Sequence, residues 1–288
     1  MSVPAAFDYH RAATVDEAIT LLQQYGDEAK VLAGGHSLIP AMKLRLSQPG
    51  HLVDIGRISG LSYIREENGK IVIGAMTTYT AIERSDLLRR QLPVLPETAS
   101  LIADQQVRNR GTIGGSMAHA DPASDMPGVV LALRGEIVVQ GPNGKRTISA
   151  DDFITGTFST ALAANEIVLE VRFATPSGKM GSAYEKLANK ASHYAVAGCA
   201  ATITLGPDGT CTAAGIAITG AAMQTARAKT VEAALVGKKL DEATIAEAAS
   251  HAADGLEIVA DIHGSKEYRR QMTTVVTRRA ITRALERA

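Results

Sequence analysis

The 288-residue chain has no tryptophan, four phenylalanines and only two cysteines, Cys199 and Cys211. Two cysteines build no disulfide framework, no cysteine-rich zinc site and no four-thiolate iron–sulfur cluster, so any such cluster belongs to another chain. Charge of one sign is also lacking, because 30 Lys and Arg balance 30 Asp and Glu. A neutral chain has no field that gathers nucleic acid, and none is expected as a partner. No apolar run is long enough to cross a bilayer, and the stretch from Met1 to His10 has neither the basic start nor the apolar core of a secretion signal. The chain reads as cytoplasmic. Glycine is plentiful, with 26 residues, and hydrophobic residues make up 45% of a length that buries one large domain or two modest ones.

The local patterns predict an α+β chain. Thr14 and Glu17 form a capping box for a helix over about 15–25 that Gly26 ends. Lys30 to Ala33 reads as a strand leading into Gly34-Gly35-His36-Ser37, with Ser37 capping a helix to about Leu46, and His51 to Ile55 reads as a further strand. Two hairpins follow, turning on Asn68-Gly69 and on Asn143-Gly144. Between them lie helices over about 78–85 and 94–104, a glycine-rich loop over 111–116, an acidic loop, and a helix from Met126 to Leu133. Glu166 to Phe173 reads as a strand, and Thr175-Pro176-Ser177-Gly178 as a boundary between domains spanning 1–176 and 177–288. Beyond it the pattern gives strands at Tyr184 to Leu187, Tyr194 to Leu205 and Thr210 to Thr219, then helices over about 225–236, 241–254 and 265–287.

Two glycine pairs carry the chemistry. Gly34-Gly35-His36-Ser37, between strand and helix, lets backbone N–H groups approach an anion, which a phosphate would satisfy. Thr112-Ile113-Gly114-Gly115-Ser116 adds hydroxyls to a second pair, and Asp125 in the Asp121-Pro122-Ala123-Ser124-Asp125 loop offers a carboxylate to a ribose or ribityl chain. Either pair alone is equally an ordinary turn; together they suit a diphosphate gripped from two sides. From the residues alone Lys186 reads as a strand-edge cation and Tyr194 as core. His36, His119 and His193 match no common ligand spacing, so no metal site is expected, and no hydrolytic triad is present either. The last helix is basic on one side, with Arg269, Arg270, Arg278, Arg279, Arg283 and Arg287; this reads as a solvated face or as a docking surface for a partner subunit.

Leu32 to Ser37, the stretch Ser100 to Gly115, the Asp121 to Asp125 loop and Tyr184-Glu185-Lys186-Leu187 together resemble the FAD-binding medium subunit of the molybdenum hydroxylase (xanthine dehydrogenase) family. Within that family the likeness is to the carbon monoxide dehydrogenase flavoprotein, and it extends from Phe7 to Arg270. The resemblance implies a two-lobed FAD-binding domain of the vanillyl-alcohol-oxidase (PCMH) type, with lobes of about 1–57 and 58–176, followed by a small C-terminal α+β domain. It places Ala33, Gly34, Gly35, His36 and Ser37, with Thr112, Ile113, Gly114, Gly115 and Ser116, about the FAD diphosphate, and counts Leu32 and Ala118 among the cofactor-binding residues. Ala103 and Val107 would line the adenosine side, Asp125 the polar chain, and Val168 and Lys186 the later part of the pocket, with Tyr194 beside the isoalloxazine. Ser116 stands where the family often has Asn.

The resemblance also implies partners: a small subunit with [2Fe–2S] clusters and a large molybdopterin subunit, assembled as a dimer of heterotrimers, with electrons leaving from FAD to an external acceptor. Peripheral contact with a membrane-bound acceptor is compatible with it. No acid–base catalyst is expected on this chain, because the redox chemistry belongs to the cofactor. Carbon monoxide is the expected substrate of the assembly, where the family's centre pairs copper with molybdenum. The alternatives are an aldehyde, purine or N-heterocycle dehydrogenase, a free-standing FAD oxidoreductase, or a nucleotide-binding scaffold with no redox role. Gly114→Asp is expected to abolish flavin retention by crowding the diphosphate.

Overall fold

The computed structural model describes residues 3–288. The N-terminal unit is β1 (Asp8–Arg11), α1 (Val15–Tyr25), β2 (Ala29–Leu32), α2 (Leu38–Lys43) and β3 (His51–Asp54). Its three strands are parallel in the order β1-β3-β2, as short strands joined through helices tend to be. The cap of α1 is formed as expected: Thr14 Oγ1 accepts from the Glu17 N–H at 3.1 Å, and Glu17 Oε2 reaches back to the Ala13 N–H at 2.7 Å. Helix α2 is shorter than its pattern predicts and Ser37 does not cap it. The backbone of Ser37 is already in the helical region rather than the extended one a cap requires, and the helix stops before Arg45 turns left-handed.

The next stretch holds β4 (Ile64–Glu67), β5 (Lys70–Gly74), α3 (Tyr79–Arg84), α4 (Asp86–Gln91), α5 (Val94–Leu101), α6 (Gln105–Arg108), α7 (Ile113–His119) and α8 (Asp125–Ala132). It continues through β6 (Glu136–Gly141), β7 (Gly144–Ser149), α9 (Ala150–Phe153), β8 (Ile154–Gly156), β9 (Ser159–Thr160) and β10 (Ile167–Ala174). Five strands form an antiparallel sheet in the order β4-β5-β10-β6-β7, and its helices cover a core that includes Ile73, Ile82, Leu95, Ile113, Met117 and Phe173. The Asn68-Gly69 turn has positive φ at both residues. The second hairpin differs from expectation: Pro142 and Asn143 make the turn, and only Gly144 is left-handed. The expected loop over 111–116 is instead largely the first turn of α7, started by Thr112, whose hydroxyl accepts from the Gly115 N–H at 3.1 Å. Helix α4, absent from the sequence reading, is capped by Ser85 in the same way.

The rest comprises β11 (Lys179–Ala188), β12 (Ala195–Leu205), β13 (Cys211–Thr219), β14 (Ala226–Arg227), α10 (Lys229–Leu235), α11 (Glu242–Ser250) and α12 (Lys266–Glu286). Its sheet is antiparallel in chain order. Side chains alternate across β12, so Ala197, Cys199, Ala201 and Ile203 join a core with α10 to α12, whereas Ala200 joins the core beneath α8. Helix α8 therefore belongs to both halves, and Thr202 Oγ1 donates to the Ala132 carbonyl at 3.1 Å. The basic side of α12 is not simply solvated. Arg269 is buried, Arg283 donates to Glu97 at 2.6 Å and pairs with Glu185, and Arg287 donates to Glu97 at 2.5 Å, joining α12 to α5 and β11.

Candidate functional site

A cleft of about 600 Å³ runs between the N-terminal unit and the five-stranded sheet and reaches the start of β12. Residues Ala33 to Ser37, after β2, form one wall. The amides of Gly34, Gly35, His36 and Ser37 donate to no acceptor among the described residues, whereas the Gly35 and Ser37 carbonyls are used by Ile39 and Ala41. Four successive free N–H groups at a glycine turn make a ready anion cradle. Gly35 takes φ +79, and a Cβ on Gly34 would collide with the Arg110 carbonyl, so both glycines are demanded by the chain path.

The second glycine pair faces the first. Ala103, Val107, Thr112, Gly114, Gly115, Ser116 and Ala118 all line the cleft, with a Cβ on Gly115 only 3.9 Å from that of Ala33. Its amides, however, are already engaged. Ile113 N–H donates to Thr77 O at 3.1 Å, Gly114 N–H to Ala75 O at 2.9 Å, and Gly115 N–H to the Thr112 hydroxyl. A Cβ on Gly114 would lie 2.5 Å from that of Ala75, so this glycine serves close packing of α7 on the sheet before it serves a ligand. Ser116 Oγ lies 2.8 Å from Ser124 Oγ, joining the helix to the acidic loop.

Asp125, at the start of α8, is only 5% exposed and lines the cleft. Its carboxylate accepts from Tyr184 at 2.6 Å and from Lys186 at 2.8 Å, one partner on each oxygen. Burial pushes the Asp125 carboxyl above its usual range, against Lys186 and Tyr184, which hold it down. Lys186 also donates to the carbonyls of Leu101 at 2.9 Å and His193 at 2.7 Å, which satisfies all three of its protons. One cation thus ties together three segments that border the cleft: the end of α5, the acidic loop and the turn before Tyr194. That turn is stiffened by Asn189, whose side-chain oxygen accepts from Ala191 and Ser192, and it presents Tyr194 at the cleft mouth, 45% exposed. Burial, then the charges of Asp121 and Asp125, raise the Tyr194 hydroxyl.

Val168 also lines the cleft, but three of the expected residues do not. Leu32 ends β2, where its carbonyl is taken by Ile55; Ile113 is fully buried in the core beneath α7; and Lys186 stands behind the wall with its amine spent on Asp125 and two carbonyls. The structure adds residues that the sequence reading did not single out, among them Met76, Tyr79, Ile102, Phe158, Leu162 and Glu166. Ile102 adjoins Ala103 and could have been found by proximity. Tyr79 and Phe158 carry no local signal, because only the packing of α3 and of the β8–β9 hairpin brings them to the cleft.

A glycine-cradled cleft between two layers, completed by the turn that leads into β12, defines a dinucleotide-type cofactor site. Residues 5–176 match the family described as FAD binding domain in molybdopterin dehydrogenase, and residues 182–284 match the CO dehydrogenase flavoprotein C-terminal domain. The chain belongs to the FAD-binding medium subunits of the molybdenum hydroxylases, and its class is that of an oxidoreductase subunit with FAD as cofactor. The carbon monoxide dehydrogenase medium chain of Hydrogenophaga pseudoflava is 42% identical over 285 residues, covering 99% of each chain. Subunit alpha of the 6-hydroxypseudooxynicotine dehydrogenase complex of Paenarthrobacter nicotinovorans is 38% identical, covering 99% of this chain and 96% of that one. The solved carbon monoxide dehydrogenase from Hydrogenophaga pseudoflava that lacks the Mo-pyranopterin moiety of the molybdenum cofactor matches with TM-score 0.96 at 44% identity, over 99% of both chains. The expected α+β class, with an FAD-binding domain followed by an α+β C-terminal domain, holds.

Proposed function

We propose that this chain carries electrons from [2Fe–2S] clusters of a small partner subunit to an external acceptor, within an aerobic carbon monoxide dehydrogenase. The observation that carries the reading is the quartet of free amides at Gly34 to Ser37, which suits the FAD diphosphate in a cleft that also presents Asp125 and Tyr194. When bound, FAD supplies the exchange between two-electron and one-electron carriers. The protein's share is to hold the diphosphate at the first glycine turn, to fix the polar chain near Asp125 and Ser116, and to set Tyr194 at the ring. Thr112, Gly114, Gly115 and Ala118 shape the opposite wall, and Ala103 and Val107 the adenosine end. Leu32, Ile113 and Lys186 act from behind by positioning.

The electron source is on another chain in this reading, because Cys199 and Cys211 are buried on β12 and β13 and no group of three His, Cys, Asp or Glu suited to a metal occurs among the described residues. The partners are then the iron–sulfur subunit and a large molybdopterin subunit, in a dimer of heterotrimers. No helix among the described residues is long and apolar enough to cross a membrane. A cytoplasmic place goes with two free thiols. Residues 1–176 and 177–288 are taken as the domains, supported by the change of sheet between β10 and β11.

The test is the metal and flavin content of the complex recovered when the tagged chain is purified from its host. Molybdenum, copper, iron and FAD together are expected. Molybdenum and iron without copper would replace carbon monoxide by an organic substrate, such as an N-heterocycle; FAD without either metal would sink the assembly.

A further inference from the structure

A second cleft of about 380 Å³ adjoins the first and shares Phe158 and Tyr194 with it. Tyr194 reaches both from the connection between β11 and β12, a turn over residues 189–194 that closes on its own backbone. Asn189 N–H donates to Tyr194 O at 2.8 Å, and His193 N–H to Asn189 O at 2.9 Å. Every residue from Lys190 to Tyr194 is exposed, and His193 is held at φ 61. A strained turn facing solvent keeps one shape only where its surroundings fix it. Lys186 does so from one side, through the His193 carbonyl, and Asn189 from within.

The orientation of the Asn189 amide is settled by its partners. Its oxygen accepts from the Ala191 and Ser192 N–H groups at 2.9 and 3.1 Å, so its nitrogen is the atom 3.0 Å from His263 Nδ1. An amide nitrogen only donates; Nδ1 must therefore accept, which puts the imidazole proton on Nε2. The backbone under His263 is anchored separately. Its N–H donates to Asp261 Oδ1 at 2.8 Å, and Asp261 Oδ2 accepts from the buried Arg269 at 2.6 Å. Arg269 also donates to Val196 O and Gly220 O, each at 2.7 Å. Burial raises the Asp261 carboxyl, but the Arg269 bond and the His263 N–H outweigh it and leave it below its usual range. Asp261 thus stays charged while an imidazole titrates, and the anchor outlasts the ring contact.

We propose that His263 is a positioning residue for Tyr194: as a neutral imidazole it holds Asn189, and through Asn189 the turn that sets Tyr194 at the flavin. This rests on the first cleft holding FAD. A proton on Nδ1 would set two donors face to face, so the contact is lost as pH falls through the range in which imidazoles charge, and the turn is freed. The charged and titratable groups about this corner are Asp121, Asp261 and Arg269 in the second cleft, Lys190 and His193 on the turn, and Lys266 and Glu267 at the start of α12. Asp261, bonded to the His263 backbone, favours the proton, and the Asn189 amide opposes it.

Two variants test the contact. His263→Asn keeps an acceptor at the δ position but does not titrate, whereas His263→Leu removes the acceptor at every pH. In the full chain without FAD, trypsin cleavage after Lys190 at one alkaline pH, followed by mass spectrometry, reads the opening of the turn. It is expected to run about two- to tenfold faster in His263→Leu, the worth of one hydrogen bond, and at the wild-type rate in His263→Asn. Equal rates in all three chains overturn the proposal. With FAD bound, a tyrosine against the ring quenches flavin emission. Emission is expected to rise as the wild type is acidified, to stay low in His263→Asn and to be high throughout in His263→Leu. No pH step in the wild type, or the same step in His263→Asn, which would assign it to His193, overturns the proposal while FAD binding stands. Failure to take up FAD, or emission unchanged in Tyr194→Leu, overturns the reading of the first cleft and the link to the flavin with it; the cleavage rates then still decide whether His263 holds the turn.

Discussion

Gly34 lies where the two walls of the cofactor cleft touch, and the Arg110 carbonyl occupies the space a side chain would need. Gly34→Ala therefore forces the first glycine turn away from the second, at a cost of about 1–3 kcal/mol. The expected outcome is a lower melting temperature and loss of bound flavin absorbance; full FAD content in that variant would refute the cradle. Gly114→Asp is expected to fail as well, but first by collision with Ala75 rather than by crowding a ligand. Lys186 invites a different experiment. Lys186→Met keeps the length of the side chain but leaves Asp125 buried beside Tyr184 without its cation, which costs about 3–5 kcal/mol. Chemical denaturation measures that loss, and a drop below about 1 kcal/mol would show that Asp125 is reached by water.

Among elements, Arg146 on β7 reaches past β6 to the loop that leads into β10, gripping both oxygens of Glu166 at 2.7 Å and also donating to the Ala161 carbonyl at 2.8 Å. The Arg146 bonds hold the Glu166 carboxyl below its usual range, against partial burial. A depressed carboxylate stabilises the fold fully above its unfolded value and loses that contribution as pH falls through the folded one. Glu166→Gln should thus be less stable than wild type by about 1 kcal/mol near neutrality, Arg146 being half exposed. The gap should close as the buffer is acidified, and denaturation at a series of pH values would show a constant gap if the pair did not matter. Elements also show where pattern reading succeeds. The capping box of α1 and the Asn68-Gly69 hairpin were legible because each is settled within a few residues. Helix α7 was not, because glycine disfavours helix locally and only the docking of Gly114 on Ala75 offsets that.

At the scale of the whole molecule, the C-terminal sheet finishes the site that the first 176 residues begin. Tyr184 and Lys186 hold Asp125, Gly220 N–H donates to Pro122 O at 2.7 Å, and Glu97 on α5 receives Arg283 and Arg287 from α12. Tyr184, Ala200 and Ala217 also fill the core beneath α8. A fragment of residues 3–176 is therefore expected to expose α8 and to retain no FAD, and stoichiometric flavin in that fragment would show the acidic loop to be self-supporting. The sequence by itself determined the absence of a cysteine framework, the two glycine turns, most helices and strands, and a full-length resemblance from which the cofactor follows. These are matters of composition and short spacing. Only the tertiary structure decided which glycine turn has free amides, that Lys186 works from behind the wall, that Arg283 and Arg287 at the end of α12 turn inward to Glu97 and Glu185 while Arg278 and Arg279 stay exposed, and that Phe158 and Tyr194 divide two clefts. Each of those depends on partners tens of residues away along the chain, and a hydrogen bond or a collision exists only once folding has brought them together.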